Sequence, residues 1–335
     1  MMGMQLEDKI VIVTRQTRMK GLLKRYATAG QTEFVMRKAR LAEQERHVNP
    51  QEAAVMAEVA GASFEALEEE EENYKSAVDF LKRELDLGPR VQVIDREYLP
   101  NFLFGPKDII VTVGQDGLVA NTAKYAGWRP IVGVNPDPRK IDGVLLPFKV
   151  EEARMAVRSV LTARARYREV NLAEATLPDG QKLLAFNDLF VGNRTHVSAR
   201  YRLELHGRSE PQSSSGVLIS TGAGSTGWLS SVFNMAAGLG EVFSPGSKKP
   251  APTRMQWEDP RLIFIVREPF VSKQSRAGLV AGILQQNDEL VIESMMSEGG
   301  VIFSDGVESD FLQFNAGVIA RVHSAQQKAR LVIAS

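Results

Sequence analysis

Two short apolar segments, residues 109–113 and 131–134, flank a helical segment at about residues 118–126. Both apolar segments are rich in β-branched residues, as expected of strands buried on both faces of a sheet. A strand, a helix and a second strand joined by short connections form the βαβ unit of a parallel sheet. Similar apolar segments at residues 9–14 and 91–94 extend the pattern. The first half of the chain is therefore predicted to be an α/β domain.

The second half of the chain has a different pattern. Residues 167–177 and 182–191 flank Asp179-Gly180, a dipeptide typical of a β-hairpin turn. Further strands are predicted at residues 197–205, 216–220, 262–266, 278–284, 289–294, 301–304, 311–322 and 330–333, with one helix after Thr226. We therefore expect an α/β domain with a parallel sheet over residues 1–150 and a mostly antiparallel β domain over residues 151–335. The last strands of the second domain can return to the first.

Helical segments are also predicted at residues 18–27, 32–46, 50–87 and 151–165. The longest begins at about Pro50, well placed for a helix start, and contains five consecutive glutamates, residues 68–72. Such a run of like charges can bind a metal or a basic partner, but it is more typical of a solvated helix face. We therefore interpret it as a solvated face.

Composition excludes several classes of function. The 335 residues include 41 basic and 41 acidic side chains, so the formal net charge of zero gives no electrostatic case for a nucleic-acid or membrane partner. There is no cysteine, which excludes disulfides, cysteine zinc sites and thiol nucleophiles. The four histidines show no metal-ligand spacing, and no run approaches the roughly 18 apolar residues that span a bilayer. We expect a cytoplasmic location.

Gly114-Gln115-Asp116-Gly117 lies between a predicted buried strand and a helix. Glycines there let backbone N–H groups approach a phosphate, and the helix start favours an anion. Asp116 would stand at the carboxyl end of a parallel strand, where open α/β sheets place ligands. Its carboxylate could accept a proton from a hydroxyl that attacks a phosphoryl group. An ordinary strand-to-helix turn with Asp116 as N-cap explains the local residues equally well.

Two more loops bring polar residues to the end of a strand. Asn187-Asp188 interrupts an apolar segment and could bind ribose hydroxyls or an amide, or mark a bulge or a solvent-facing pair. Residues 220–228 contain a literal G-x-G-x-x-G formed by Gly222, Gly224 and Gly227. A dinucleotide fingerprint of this form needs a βαβ unit, whereas the strands before it look antiparallel. The loop can still bind phosphate or ribose. No Walker loop is present.

In this order, the Gly114–Gly117 loop, the Asn187-Asp188 pair and the Thr221–Trp228 segment resemble the three signatures of the NAD kinase family. Residues 133–138, 265–269 and 314–320 are similar to stretches of its mitochondrial-type branch. The resemblance covers about residues 105–320. It implies a two-domain fold with an α/β domain followed by a β-rich domain. It also implies transfer of the γ-phosphoryl of ATP, with Mg²⁺, to the adenosine-ribose 2′-hydroxyl of NAD.

The resemblance also implies roles for individual residues. Asp116 would be the base or orienting carboxylate, and the phosphate-binding loop would consist of Gly114, Gln115 and Gly117. The residues that it implies for NAD binding are Asn187, Asp188, Thr226, Gly227, Trp228 and Ser231. Further candidates for nucleotide contacts are Gly222, Gly224, Ser225 and Asp305. A homodimer or homotetramer is expected, with small-molecule nucleotides as the other partners and no metal held by protein ligands alone.

Two residues depart from the family pattern. Gln115 replaces a glycine and Leu118 replaces a threonine. A side chain at position 115 could forbid a positive φ there, although its amide could instead donate to a phosphate oxygen. Because loops similar to Gly114–Gly117 also occur in lipid and sugar kinases, a related kinase with a lipid or sugar acceptor stays open. The two departures keep a second alternative open, a catalytically weakened nucleotide-binding regulator. A hydride-transfer dehydrogenase is the least favoured interpretation.

Overall fold

The computed structural model describes residues 8–44, 48–59, 61–244, 246 and 254–334. The chain divides into two compact units. Unit 1 is formed by the residues up to 118, by residues 132–165 and by residue 334. Unit 2 is formed by residues 119–131 and by the described residues of 166–333. The chain therefore enters unit 2 for a short segment before returning to unit 1.

Unit 1 has an α/β architecture. Its strands are β1 (Lys9–Thr14), β2 (Arg90–Asp95), β3 (Ile109–Val113), β4 (Pro130–Asn135, of which residues 132–135 lie in this unit) and β5 (Phe148–Lys149). Its helices are α1 (Arg18–Tyr26), α2 (Ala29–Gln44), α3 (Pro50–Val59), α4 (Phe64–Glu84), α5 (Asp116–Ala126, of which residues 116–118 lie in this unit) and α6 (Ala153–Leu161).

The strands of unit 1 follow the order β2-β1-β3-β4-β5. β1 runs parallel to both β2 and β3, and β4 runs parallel to β5. Every residue of β3 is buried, and so are residues 10–13 of β1. This burial explains why both segments consist of β-branched residues. The predicted parallel sheet with helices is confirmed.

The long helix predicted over residues 50–87 is wrong, because α3 and α4 are separate helices. Gly61 has a φ of +75°, a conformation that helical residues do not adopt. Ser63 then caps α4 by accepting a hydrogen bond from the backbone N–H of Ala66 at 3.2 Å. The break lets α3 fold back, so that Val55 and Leu67 are buried in one apolar cluster with Leu22 of α1.

Unit 2 is β-rich. Its strands are β6 (Arg166–Thr176), β7 (Lys182–Ala185), β8 (Asp188–Asn193), β9 (Ala199–Leu205), β10 (Arg208–Ser214), β11 (Val217–Ser220), β12 (Leu262–Val266), β13 (Ala281–Leu284), β14 (Leu290–Ser294), β15 (Gly300–Ser304), β16 (Val307–Gln313) and β17 (Ile319–Ile333). One helix, α7 (Trp228–Phe243), follows β11, as predicted from the sequence.

These strands form two antiparallel arrangements. One follows the order β10-β9-β14-β17-β6-β7, and the other follows the order β13-β12-β11-β8-β15-β16. Tyr201, Phe264 and Phe314 are fully buried in an apolar core to which both sets of strands contribute. The predicted two-part fold, α/β and then antiparallel β, is therefore confirmed. Among the described residues no helix is both long and apolar enough to cross a bilayer.

Two predicted strands are each divided in the structure. The segment 182–191 becomes β7, which pairs with β6, and β8, which pairs with β11 and β15. The chain passes from one set of strands to the other at Phe186 and Asn187. The segment 311–322 is likewise divided between β16 and β17 by a turn in which Gly317 has a φ of +89°. The first of these divisions builds part of the candidate site.

Candidate active site

Unit 1 contains the loop between β3 and α5. A Cβ atom at position 114 would lie 3.2 Å from Arg15 Cδ and 3.3 Å from Leu118 Cδ2, so the loop can pass this close to both side chains only with glycine there. Leu118 is buried in the unit and packs against this glycine. The leucine that replaces the family's threonine therefore belongs to the core.

Gln115 is exposed and does not have a positive φ. The backbone at this position thus needs no glycine, and the strain that the sequence predicted there is absent. Gly117 is also exposed, and a Cβ atom on it would meet nothing within 4 Å. The loop keeps its shape with glutamine at 115, and its open side lies at the start of α5.

Asp116 is the first residue of α5 and is half-buried. Its Oδ1 accepts a hydrogen bond of 2.7 Å from the backbone N–H of Leu145, in the segment between β4 and β5. This bond fixes the orientation of the carboxylate. Its second oxygen has no protein partner among the described residues. One oxygen is thus held by the protein, and the other can accept a proton.

Unit 2 contains the turn at residues 186–188, where the chain passes from one set of strands to the other. Asp305 holds this turn, because its carboxylate accepts hydrogen bonds from the backbone N–H groups of Phe186 at 3.0 Å, Asn187 at 2.6 Å and Asp188 at 3.3 Å. Asp305 N–H in turn donates to Asp188 O at 3.0 Å. Asp188 is buried, so the interpretation of this residue as solvent-facing is wrong, whereas Asn187 is half-buried.

Asp188 has an unusual electrostatic environment. Burial raises its pKa to about 7, and the nearby charge of Asp305 adds to this rise, while a hydrogen bond with Ser220 opposes it. Burial also raises the pKa of Asp305, against the lowering effects of Lys124 and of the three backbone N–H groups. The Oδ1 atom of Asp188 is buried without a hydrogen-bond partner in the described part of the chain. A buried orphan acceptor of this kind is a candidate for a ligand contact.

The glycine-rich loop after β11 is shaped by close packing. A Cβ atom on Gly222 would lie 1.9 Å from Gln256 O, and one on Gly224 would lie 2.3 Å from Asn187 O. Ser225 Oγ donates to Gly222 O at 2.7 Å and accepts from Met255 N at 3.3 Å. Packing therefore accounts for the first two glycines of the G-x-G-x-x-G string. Because β11 is antiparallel to both of its neighbours, the string is not a βαβ dinucleotide fingerprint.

The Asn187 turn and the glycine-rich loop meet at one cavity of about 360 Å³. Among the residues predicted for the site, those that line it are Asn187, Asp188, Thr226, Gly227, Trp228 and Asp305. Gly222, Gly224 and Ser225 lie behind it in the loop, and Ser231 lies further along α7; none of the four lines it. Its size is within the range of small-ligand sites, which combine apolar walls with a few polar groups.

Several residues of this region were missed by the sequence analysis. Phe190 and Phe303 form an aromatic wall, in which Phe190 stacks on Trp228 with ring centroids 5.8 Å apart. Their positions inside apolar strands gave no signal other than core packing. Lys124 is buried, and its Nζ donates to Ser304 Oγ at 2.9 Å, directly before Asp305. No local pattern marks a lysine on α5 as a neighbour of β15.

In the described ranges, no three histidine, aspartate or glutamate side chains are close enough to hold an ion. His47 lies outside the residues that the structure describes.

Comparisons with known proteins agree with this architecture. The fold is similar to that in the crystal structure of yeast NADH kinase complexed with NADH, with a TM-score of 0.52 and 17% identity. The match covers 99% of this chain and 85% of the yeast chain. In sequence, the chain is similar to NAD kinases of Chlorobium luteolum and Chlorobium phaeobacteroides, each 28% identical over 145 residues. These findings confirm the resemblance to NAD kinases.

The sequence similarity covers 42% of this chain and 48% of each Chlorobium protein, so the chain spans about half the length of the curated relatives it matches. No family model matches the chain.

Proposed function

We propose that this protein is an NAD kinase-like phosphotransferase that moves the γ-phosphoryl group of ATP to the adenosine-ribose 2′-hydroxyl of NAD, forming NADP. The observation that carries the proposal is the cavity of unit 2 at which residues of two of the three family signatures lie together. The NAD kinase names of the curated relatives and the fold of yeast NADH kinase support it.

In this proposal Asp116 accepts the proton of the 2′-hydroxyl as the hydroxyl oxygen attacks the γ-phosphorus. A bond forms between that oxygen and phosphorus, the bond from phosphorus to the β,γ-bridging oxygen breaks, and ADP leaves. The hydrogen bond from Leu145 N–H to one oxygen of Asp116 orients the carboxylate, so the other oxygen can take the proton. Gly114, Gln115 and Gly117 would hold phosphates at the start of α5.

Asn187, Asp188, Thr226, Gly227 and Trp228 would bind NAD. The buried orphan oxygen of Asp188 supports a hydrogen bond from a hydroxyl or amide, and the stacked rings beside it suit a flat heterocycle. Asp305 would act as a positioning residue, because it already accepts three backbone N–H groups of the turn. Gly222, Gly224 and Ser225 would shape the loop, and Ser231 would contact NAD from α7.

Mg²⁺ would accompany ATP, bound chiefly by its phosphate oxygens and by water, as this ion usually is at phosphate-transfer sites. The ion would neutralise charge that develops on the transferred group. We also propose a cytoplasmic location, which rests on the composition and apolar pattern of the sequence, and a homodimer or homotetramer, which rests on the family resemblance.

The proposal is tested by incubating the full chain with ATP and Mg²⁺ and following NADP or NADPH by chromatography. NAD and NADH are supplied in separate reactions, because the structural neighbour carries the name NADH kinase. Formation of phosphorylated dinucleotide that requires ATP supports the proposal. Tight binding of NAD by calorimetry with no phosphorylated product would instead favour the weakened regulator, and phosphorylation of a lipid or sugar only would favour a related kinase.

A further inference from the structure

A second cavity lies within unit 1, at the carboxyl ends of its parallel strands. It has a volume of about 260 Å³. Its charged lining consists of three basic and two acidic side chains, namely Arg15, Arg18, Lys140, Glu70 and Asp137. Gln115 of the β3–α5 loop also lines it. Open α/β sheets bind their ligands at this edge, so a cavity with converging cations here is a candidate ligand site.

Arg15 follows β1 directly and reaches the β3–α5 loop. Its side chain is only 12% exposed, and its Cδ and Nε lie within 3.4 Å of the position that a Cβ atom would take on Gly114. The buried Nε–H has no hydrogen-bond partner in the part of the chain that the structure describes. Arg15 is therefore held beside the candidate phosphate loop with one donor unsatisfied, an arrangement that is unfavourable unless something compensates for it.

Glu70 of α4 holds both guanidinium groups of the cavity. Its Oε1 lies 3.2 Å from Arg15 Nη2, and its Oε2 lies 2.6 Å from Arg18 Nη2 and 3.1 Å from Arg18 Nε. Burial alone would raise the pKa of Glu70, but the hydrogen bonds and charges of Arg18 and Arg15 outweigh that effect, so its pKa lies below the usual value. Glu70 thus remains an anion shared by two arginines.

The neighbouring glutamates make similar contacts. Glu69 Oε2 lies 3.6 Å from Lys140 Nζ, and Glu71 accepts a hydrogen bond from the Thr17 hydroxyl. Three successive members of the five-glutamate run therefore contact the segments that follow β1 and β4. The interpretation of this run as a solvated face is wrong for Glu70, although Glu68 and Glu72 are exposed.

We propose that Arg15 and Arg18 form a binding site for the terminal phosphates of the donor, and that the Glu70 carboxylate occupies this site when no donor is bound. The identification of the donor as a nucleoside triphosphate rests on the proposed function. The inference that the two arginines bind phosphate does not rest on it. A terminal phosphate carries more negative charge than a carboxylate and offers three oxygens to the two guanidinium forks, so it can displace Glu70. Displacement also frees Arg15 to turn its unsatisfied Nε–H toward an acceptor.

The proposal predicts that the binding of phosphates competes with Glu70. We would titrate the full chain with sodium tripolyphosphate and, separately, with Mg-ATP by calorimetry, with no NAD present. Glu70→Gln is compared with Glu72→Gln, which makes the same change of charge at an exposed position of the same helix. Arg18→Gln is compared with Arg37→Gln, another exposed arginine of unit 1.

Glu70→Gln should tighten binding of both probes by roughly three- to tenfold relative to the wild type, because the carboxylate that pairs with both arginines no longer competes with the phosphates. Glu72→Gln should leave it unchanged. Arg18→Gln should weaken binding, whereas Arg37→Gln should not. ATP binding more tightly than tripolyphosphate identifies a nucleotide as the ligand, and the reverse order identifies a free polyphosphate.

The proposal is overturned if Glu70→Gln binds tripolyphosphate no more tightly than Glu72→Gln, or if Arg18→Gln binds it as the wild type does. Near-UV circular dichroism shows whether each variant is folded. If Glu70→Gln does not fold, the comparison of Arg18→Gln with Arg37→Gln decides whether the proposal stands. Because no NAD is present, the result is independent of whether the protein forms NADP: a phosphate site with no NADP formation retains this inference and removes the proposed activity.

Discussion

At the scale of single residues, Asp116 is the group on which the proposed chemistry depends. Asp116→Asn retains the shape of the side chain and an oxygen that can accept from Leu145 N–H, but it removes the proton acceptor. We expect the rate of NADP formation to fall by roughly 10²–10⁴-fold, the usual contribution of a positioned general base. The affinity for NAD, measured by calorimetry, should be nearly unchanged. Turnover near that of the wild type would remove Asp116 from the mechanism.

Asp188 gives a prediction about stability and pH. Its pKa of about 7 in the folded protein exceeds that of an ordinary aspartate, so the folded state retains a proton that the unfolded chain has already released. Stability is therefore unaffected by this group at about pH 4 and decreases as the pH rises towards 7. Asn at position 188 cannot ionise, so Asp188→Asn should unfold at a higher urea concentration than the wild type at pH 8. The expected gain in the free energy of unfolding is roughly 1–4 kcal/mol.

The stabilisation by Asp188→Asn should shrink when the same urea titration is repeated at about pH 5, where the wild-type carboxyl is largely protonated. Asp142→Asn, which makes the same change of charge at an exposed position, serves as the control. An equal gain at both pH values would contradict a buried, proton-retaining Asp188. A gain in stability together with weaker NAD binding would show that this residue is retained for its ligand.

Single residues could be singled out as candidates from the sequence where polar residues interrupt or follow apolar segments. Asp116, Asn187 and Asp188 stand out for this reason. Arg15 and Lys124 gave no such signal, because their importance comes from neighbours that are distant in sequence: Gly114 for Arg15, and Ser304 for Lys124. A charged side chain that is buried by tertiary contacts looks locally like any surface residue.

At the scale of elements, α4 is tied to the sheet of unit 1 by one phenol. The Tyr74 hydroxyl accepts from Arg15 N–H at 2.9 Å and donates to Val113 O at 2.9 Å, so it joins the ends of β1 and β3. Burial raises the pKa of Tyr74 to about 12, so the phenol remains protonated and able to donate. Tyr74→Phe leaves an unsatisfied buried donor and acceptor, which should cost about 1–3 kcal/mol of unfolding free energy.

This loss is measured by urea unfolding against Tyr98→Phe, which removes a hydroxyl from a residue that is 59% exposed. Tyr98→Phe should change the free energy of unfolding by less than about 0.5 kcal/mol. If the two variants are equally stable, Tyr74 does not link α4 to the strands in solution. Because Arg15 belongs to the proposed phosphate site, Tyr74→Phe should also weaken tripolyphosphate binding.

Elements were predictable from sequence where local rules decide them. The predicted and observed bounds of β1 are identical, because a continuous run of β-branched residues favours a strand. The division of the segment 182–191 could not be read locally. The segment is equally apolar before and after Asn187. The hydrogen bonds that show where the chain passes from one sheet to the other join the turn to Asp305, more than 100 residues away.

At the scale of the whole molecule, the α/β and β-rich halves follow from their residue patterns, whereas the course of the chain does not. Residues 119–131 belong to unit 2 although they lie within the βαβ pattern of the first half. Lys124 is bonded to Ser304, Tyr125 donates to the Asp310 carboxylate, and Arg330 and Leu331 of β17 pair in parallel with Pro130 and Ile131. Such contacts join segments about 200 residues apart, a separation that local periodicity cannot report.

The assignment of residues 119–131 to unit 2 predicts how a truncated chain behaves. A fragment of residues 1–150 retains residues 119–131 without the partners that bury them, including those of Lys124, which is only 5% exposed in the intact chain. A lysine exposed from such a site is harmless, but Val119, Ala120 and Ala123 lose their apolar surroundings with it. We therefore expect the fragment to lack a cooperative urea transition and to show little near-UV circular dichroism, whereas the full chain shows both. A sharp transition in the fragment would mean that unit 1 folds even when residues 119–131 lack their contacts with the rest of unit 2. The first half would then be an independent domain, as the sequence pattern alone suggests.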